Sequence, residues 1–142
     1  MKAVFTLVCV FVSFFLGADE EQQKYTPVIM PNGETLPYVM DNGVKVFHLI
    51  AEPVKQPFAP GFIVNCWGYN GRSPGPMIEA VEGDRVRILV TNNLPEPTTI
   101  HSHGILLPSG MDGVSGLSQA PIPPGETFKY EFTLKQHGTY MY

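Results

Sequence analysis

Two histidines one residue apart, His101 and His103, lie in the stretch Thr98-Thr99-Ile100-His101-Ser102-His103-Gly104-Ile105. In extended chain the side chains alternate and each residue rises about 3.3 Å, so the two imidazoles project from one face roughly 6.6 Å apart. Such an edge is a candidate metal site. Neutral imidazole suits copper, zinc, iron and nickel, and among divalent ions the affinity of a nitrogen site peaks at copper. Two half-exposed strand histidines with no ligand would give the same pattern, because His-x-His alone is a weak signal. The elements around the pair have to decide between the two readings.

The chain has 142 residues, 44% hydrophobic and 15% charged, which fits one globular domain and excludes a disordered tail. The formal net charge of -4 is too small to imply a polyanionic partner, and no cluster of lysine and arginine suggests a nucleic-acid surface. With 14 glycines and 14 prolines the chain must turn often, which favours short strands over long helices.

At the start, Met1-Lys2 precedes an apolar run ending at Leu16, then Gly17 and Ala18, then Asp19-Glu20-Glu21. This is the pattern of a secretory signal peptide over residues 1–18, and the run falls short of the roughly 20 residues a membrane span needs. The expectation is an exported protein, periplasmic or secreted, with no stable membrane span after cleavage. Cleavage would remove Cys9 and leave Cys66 as the single thiol. Next to Trp67 and with no histidine nearby in sequence, Cys66 reads as a small buried apolar residue, the sharper alternative being a copper thiolate.

Residues 19–43, polar with three prolines and the turns Asn32-Gly33 and Asn42-Gly43, read as an extended N-terminal arm. The run from Val44 to Ala51 predicts a strand, and His48 within it reads as hydrogen-bonded structure before ligand. A loop over 56–61 and a strand over 62–67 follow, and then a Gly/Pro-rich turn over 68–76. In 85–91, Val86, Ile88 and Val90 alternate with Arg85 and Arg87. In 126–134, Phe128, Tyr130, Phe132 and Leu134 alternate with Thr127, Lys129, Glu131 and Thr133. Both patterns describe strands with one buried face. The histidine stretch is read as a strand, 107–125 as a long loop, and Thr139-Tyr140-Met141-Tyr142 as the beginning of another strand. Short strands without any helical period predict an all-β sandwich.

The ordered set Gly68-Tyr69-Asn70-Gly71-Arg72-Ser73-Pro74-Gly75-Pro76, Glu82-Gly83-Asp84, Asn92-Asn93-Leu94, His101-Ser102-His103-Gly104, Met111-Asp112-Gly113, Gln119, Pro121-Ile122, Pro124-Gly125 and Gly138-Thr139-Tyr140-Met141-Tyr142 resembles the N-terminal, plastocyanin-like cupredoxin domain of bacterial multicopper oxidases, of the laccase and copper-tolerance type. The resemblance covers about 44–142. It implies a cupredoxin-like Greek-key β-sandwich and copper as the metal. It also implies that His101 binds the type 2 copper and His103 one of the type 3 pair. Asp112 matches a loop acid that in some members assists proton delivery to bound oxygen; its other reading is a turn-capping aspartate before Gly113. His137 matches no ligand.

In the family a second His-x-His pair follows the Gly-Thr-Tyr-x-Tyr strand, and here the sequence stops at Tyr142. The resemblance therefore implies a sandwich missing its C-terminal strands, a partial copper site and no oxidase activity from this polypeptide alone. Three functions follow from it. The first is a domain fragment of a multicopper oxidase, whose parent reaction couples one-electron oxidation of phenols or cuprous ion to reduction of oxygen to water. The second is a small exported copper carrier, with Met111 or His137 as a third donor. The third is a module completed by another cupredoxin domain or chain.

Overall fold

Two Asn-Gly pairs set the sharpest turns of the sheet. Asn42 and Gly43 have φ of 49° and 81°, Asn70 and Gly71 of 52° and 77°. Positive φ at both central positions is the type I′ geometry, whose twist matches that of antiparallel strands and which asparagine and glycine tolerate best. The first turn joins β1 (Tyr38–Asp41) to β2 (Val44–Ala59), so the sheet takes in residues ahead of 44. The second follows β3 (Phe62–Tyr69), with Tyr69 N–H donating to Arg72 O at 2.9 Å. This computed structural model describes residues 25–142; the expected leader over 1–18, Cys9 and the arm through residue 24 lie outside the described residues.

Strand β2 runs 16 residues, past Pro53 and Pro57, where the sequence predicts an end at Ala51 and a loop over 56–61. Alternation explains how the prolines fit. The Ala51 carbonyl accepts from Asn93 N–H on the β4 side, whereas the Ile50 carbonyl accepts from Asn70 N–H on the β3 side. The nitrogens of residues 53 and 57 therefore face the β4 side, and the pairing with β4 ends at Ala51. A proline costs no ladder bond on an open edge. One edge of β2 carries β1 along its first half and β3 along its second. The Asn70 side chain closes the gap between them, accepting from Ile50 N–H at 3.0 Å and donating to His48 O at 3.1 Å.

On its other edge β2 pairs in parallel with β4 (Arg85–Asn92), which pairs antiparallel with β5 (Thr127–Thr133), giving one five-stranded sheet. The expected alternation holds: Val86, Val90, Tyr130 and Phe132 are buried, while Arg85, Thr127, Lys129 and Thr133 are exposed. The facing layer is made of segments outside the five strands. Ile78, Ala80, Ile100, Ile105, Leu107 and Ile122 pack with Phe47, Leu49, Val86, Ile88, Val90, Tyr130 and Phe132 into one core. The described residues are thus all-β as expected, apart from one 3₁₀ turn at Ser109–Met111.

Two expectations change here. The histidine stretch and the Thr139–Tyr142 stretch are extended chain tied by isolated bridges, Thr98 to Ile122 and His103 to Met141, and neither is a sheet strand. Cys66 is half-buried and not fully buried. It sits opposite Val54 on the two-stranded part of β2 and β3, where only one neighbouring strand covers it.

The outer face of the sheet carries a charge network. Glu131 accepts from Arg85 Nη2 at 2.8 Å and from Arg87 Nε at 2.7 Å, and Arg87 Nη1 reaches Asp41 at 2.7 Å. The two guanidinium hydrogen bonds, Arg87 foremost, hold the Glu131 carboxyl down from its ordinary 4.5 to about 2. A carboxyl depressed on folding contributes stability that is present above its unfolded value and is lost as the pH falls towards its folded one. Glu131 therefore adds stability at neutral pH that declines between 4.5 and about 2. Thermal melts over that interval should show the decline, and Glu131→Gln should be less stable at neutral pH and show a flatter one.

Candidate metal centre

Alternation along the extended segment 98–103, which ends at the positive-φ turn of Gly104, sets the site. Ile100 and Ser102 turn inward, at 5% and 8% exposure, while His101 and His103 turn to solvent. Their ring centroids are 5.8 Å apart and the planes stand at 87°. The sequence spacing predicts this shared face, and the segment achieves it without a full ladder because other groups fasten it. Ile100 N–H donates to the buried Tyr130 hydroxyl at 3.3 Å, which ties the segment to β5. Burial pushes the Tyr130 phenol up from its ordinary value, so it stays neutral.

His101 is oriented by the loop after the 3₁₀ turn. Its Nδ1 lies 2.6 Å from the Asp112 carbonyl oxygen. A carbonyl only accepts, so in the neutral ring Nδ1 carries the hydrogen and Nε2 keeps a free lone pair. The Asp112 carboxylate is farther off, with Oδ1 3.5 Å from the same nitrogen. The turn ahead of Gly113 closes through backbone, Asp112 N–H donating to Ser109 O at 3.1 Å.

His103 is held by the C-terminal stretch. Its N–H donates to Met141 O at 2.9 Å. The Gln136 side chain then bridges the next residues, accepting from Leu106 N–H at 2.9 Å and donating to Gly104 O at 3.0 Å. Tyr142 anchors that stretch by donating its hydroxyl to Pro76 O at 2.6 Å, with its ring 5.6 Å from Tyr69. Burial pushes the Tyr142 phenol up to about 12. Two motifs more than sixty residues apart in sequence thus meet, and together they position the second histidine. Nothing in the sequence singles out Gln136, which acts by mimicking a strand partner.

The other candidate donors lie elsewhere. His48 Nε2 is 2.8 Å from the Thr91 hydroxyl, which is 2.8 Å from that of Thr127. His137 pairs with Glu82 at 3.0 Å. The Met111 sulfur accepts Glu131 N–H at 3.3 Å on the outer edge of β5. Among the described residues no three His, Cys, Asp or Glu side chains gather as a metal-binding group. His101 and His103 fit copper by donor type, two imidazoles on one exposed edge with one ring nitrogen already assigned.

The pattern that defines the family described as multicopper oxidase matches residues 54–142. Copper resistance protein A of Escherichia coli is 52% identical over 73 residues, which are 51% of this chain and 12% of that protein. Dihydrogeodin oxidase of Aspergillus terreus is 51% identical over 78 residues, 52% of this chain and 13% of that protein. The crystal structure of a multi-copper oxidase from Pseudomonas Thermotolerans superposes with a TM-score of 0.66 at 44% identity, covering 68% of this chain and 24% of that one. The chain thus spans about an eighth of the length of these curated relatives, and the family match over 54–142 takes in the histidine segment, the Met-Asp-Gly loop and the Gly-Thr-Tyr stretch. By sequence and by fold, the chain belongs to the multicopper oxidase family.

Proposed function

We propose that this chain is a copper-binding part of the N-terminal cupredoxin domain of an exported multicopper oxidase, presenting His101 to the type 2 copper and His103 to one type 3 copper. The observation that carries the reading is the pair of perpendicular imidazoles on one edge, 5.8 Å between centroids, with His101 Nδ1 engaged by the Asp112 carbonyl. Rings so disposed suit two metal ions roughly 3.5–4 Å apart better than joint chelation of one. Copper held there would serve the coupling of one-electron oxidation to the reduction of oxygen. The half-exposed Asp112 carboxylate holds or passes a proton beside the site, a role supported by its 3.5 Å distance from His101 Nδ1.

Two imidazoles leave a copper ion short of the three or four donors a tight site wants, so the remaining ligands come from another cupredoxin domain or chain. A cleft of about 760 Å³ supports this, because it runs along the C-terminal stretch past the half-buried Ile105 and Leu134. The carrier reading loses support, since Met111 and His137, its third donors, are engaged elsewhere. No helix among the described residues is long and apolar enough to cross a membrane.

Copper titration followed by electron paramagnetic resonance tests the proposal. A type 2 signal is expected, weakened about tenfold or more by His101→Ala, whereas His103→Ala should lower the total copper bound and leave that signal in place. Absence of a specific signal, or copper binding in both variants as tight as in the wild type, would overturn it.

A further inference from the structure

Gly113 lies against the histidine segment more closely than any other residue type allows. A Cβ built on it would stand 1.6 Å from the Ile100 carbonyl oxygen, 2.5 Å from the carbon of that carbonyl and 3.1 Å from the His101 Cα. Its φ of +76° is also one that side chains disfavour. Space and backbone conformation thus both require glycine here, and the loop it allows ends with the Asp112 carbonyl 2.6 Å from His101 Nδ1.

We propose that Gly113 is a positioning residue for His101: by admitting the Ile100 carbonyl where a side chain would stand, it seats the Asp112 carbonyl on Nδ1 and so dedicates Nε2 to the metal. The metal half of this statement rests on the copper reading above. The tautomer half does not, because it concerns the chain without metal.

The assignment divides the Met-Asp-Gly loop into two roles. The Asp112 main chain fixes which nitrogen of His101 is a donor, and its carboxylate is left free for proton traffic. A ring without such a partner would divide between two tautomers and two orientations, only part of which present a lone pair outward. A partner on the non-ligating nitrogen of a metal-bound histidine typically contributes 10–100-fold in metal affinity. A main-chain acceptor cannot be removed by changing Asp112, so the residue that controls it is its glycine neighbour.

The test is nitrogen-15 NMR of the imidazoles in the copper-free chain at about pH 8, above the usual imidazole range. In the wild type His101 should carry its hydrogen on Nδ1, and Asp112→Ala should leave that unchanged, since it keeps the carbonyl. Gly113→Ala should move the ring towards the Nε2–H form and weaken copper binding by about 10–100-fold. Gly113→Asn, a residue type that tolerates positive φ but adds the same Cβ, should do the same. A wild-type ring protonated on Nε2, a shift caused by Asp112→Ala, or a folded Gly113→Ala chain with unchanged tautomer and affinity would each overturn the inference. If neither Gly113 variant folds, the wild-type and Asp112→Ala spectra decide it. A wild type with Nδ1–H that binds no copper would sink the copper reading while leaving the tautomer assignment standing.

Discussion

Asn92→Ala should destabilise the protein by about 3 kcal/mol, because the side chain is fully buried and every polar atom on it is used. Its Nδ2 donates to Glu96 O at 2.9 Å and to Ile122 O at 2.8 Å, and its Oδ1 accepts from Leu94 N–H at 2.9 Å. Alanine would leave the Leu94 N–H without that acceptor in a buried place, and a buried unsatisfied group costs about 1–3 kcal/mol. The two lost donations and the void add to that. Asn92→Asp should not rescue, since it keeps the acceptor but gives up both donations and buries a charge.

Asn92 acts where β4 ends and the site-bearing loops begin. Its own N–H donates to Glu126 O at 2.9 Å and its carbonyl accepts from Gly125 N–H at 2.6 Å. The single residue therefore fastens both ends of the excursion that runs from 93 to 125 and carries His101, His103 and Asp112. Urea denaturation should show a lower midpoint with an unchanged slope. A loss well under about 1 kcal/mol would mean that water takes over the amide's partners.

Much of this arrangement is legible in the residues. The alternations in 85–91 and 126–134 state a period of two, and burial follows it at Val86, Ile88, Val90, Tyr130 and Phe132, with Phe128 and Leu134 half-buried. Asn42-Gly43 and Asn70-Gly71 announce turns because few other pairs reach positive φ at both positions. The shared face of His101 and His103 follows from the same period. What composition hides is everything that depends on which edge a residue faces. Pro53 and Pro57 look like strand breakers, and they are harmless only because β4 no longer runs beside them. The histidine segment looks like a strand, yet its neighbours are a tyrosine hydroxyl, a glutamine amide and two isolated bridges, partners that lie far away in sequence. Cys66 looks like core, but it is half-buried, on the part of β2 that pairs with β3 and no longer with β4. Asp112 is readable as an acid at a turn, while the use of its carbonyl by His101 depends on a close approach that only the neighbouring glycine hints at.

Phe47→Ala should cost more than any exposed substitution, roughly 3–5 kcal/mol, and lower copper affinity without touching a ligand. Phe47 is fully buried on β2, opposite Ile88 of β4, with the Tyr38 ring 5.5 Å away. It belongs to the same core as Ile100, Ile122 and Tyr130. The segment bearing the histidines has no ladder of its own, so the core that Ile100 shares with Phe47 helps to keep Ile100 inward and therefore His101 outward. A cavity beneath it loosens the alternation that presents the imidazoles. Folded domains rest on only about 5–15 kcal/mol, so the alanine variant would give up a large share of its stability. Phe47→Leu, which keeps most of the apolar volume, should cost about 1–2 kcal/mol and leave copper binding near that of the wild type. Chemical denaturation paired with copper titration of both variants checks this. If Phe47→Ala lost stability but bound copper as tightly as the wild type, the histidine edge would have to be held by its hydrogen bonds to Tyr130, Asp112 and Met141 alone, and the core would position the sheet and not the site.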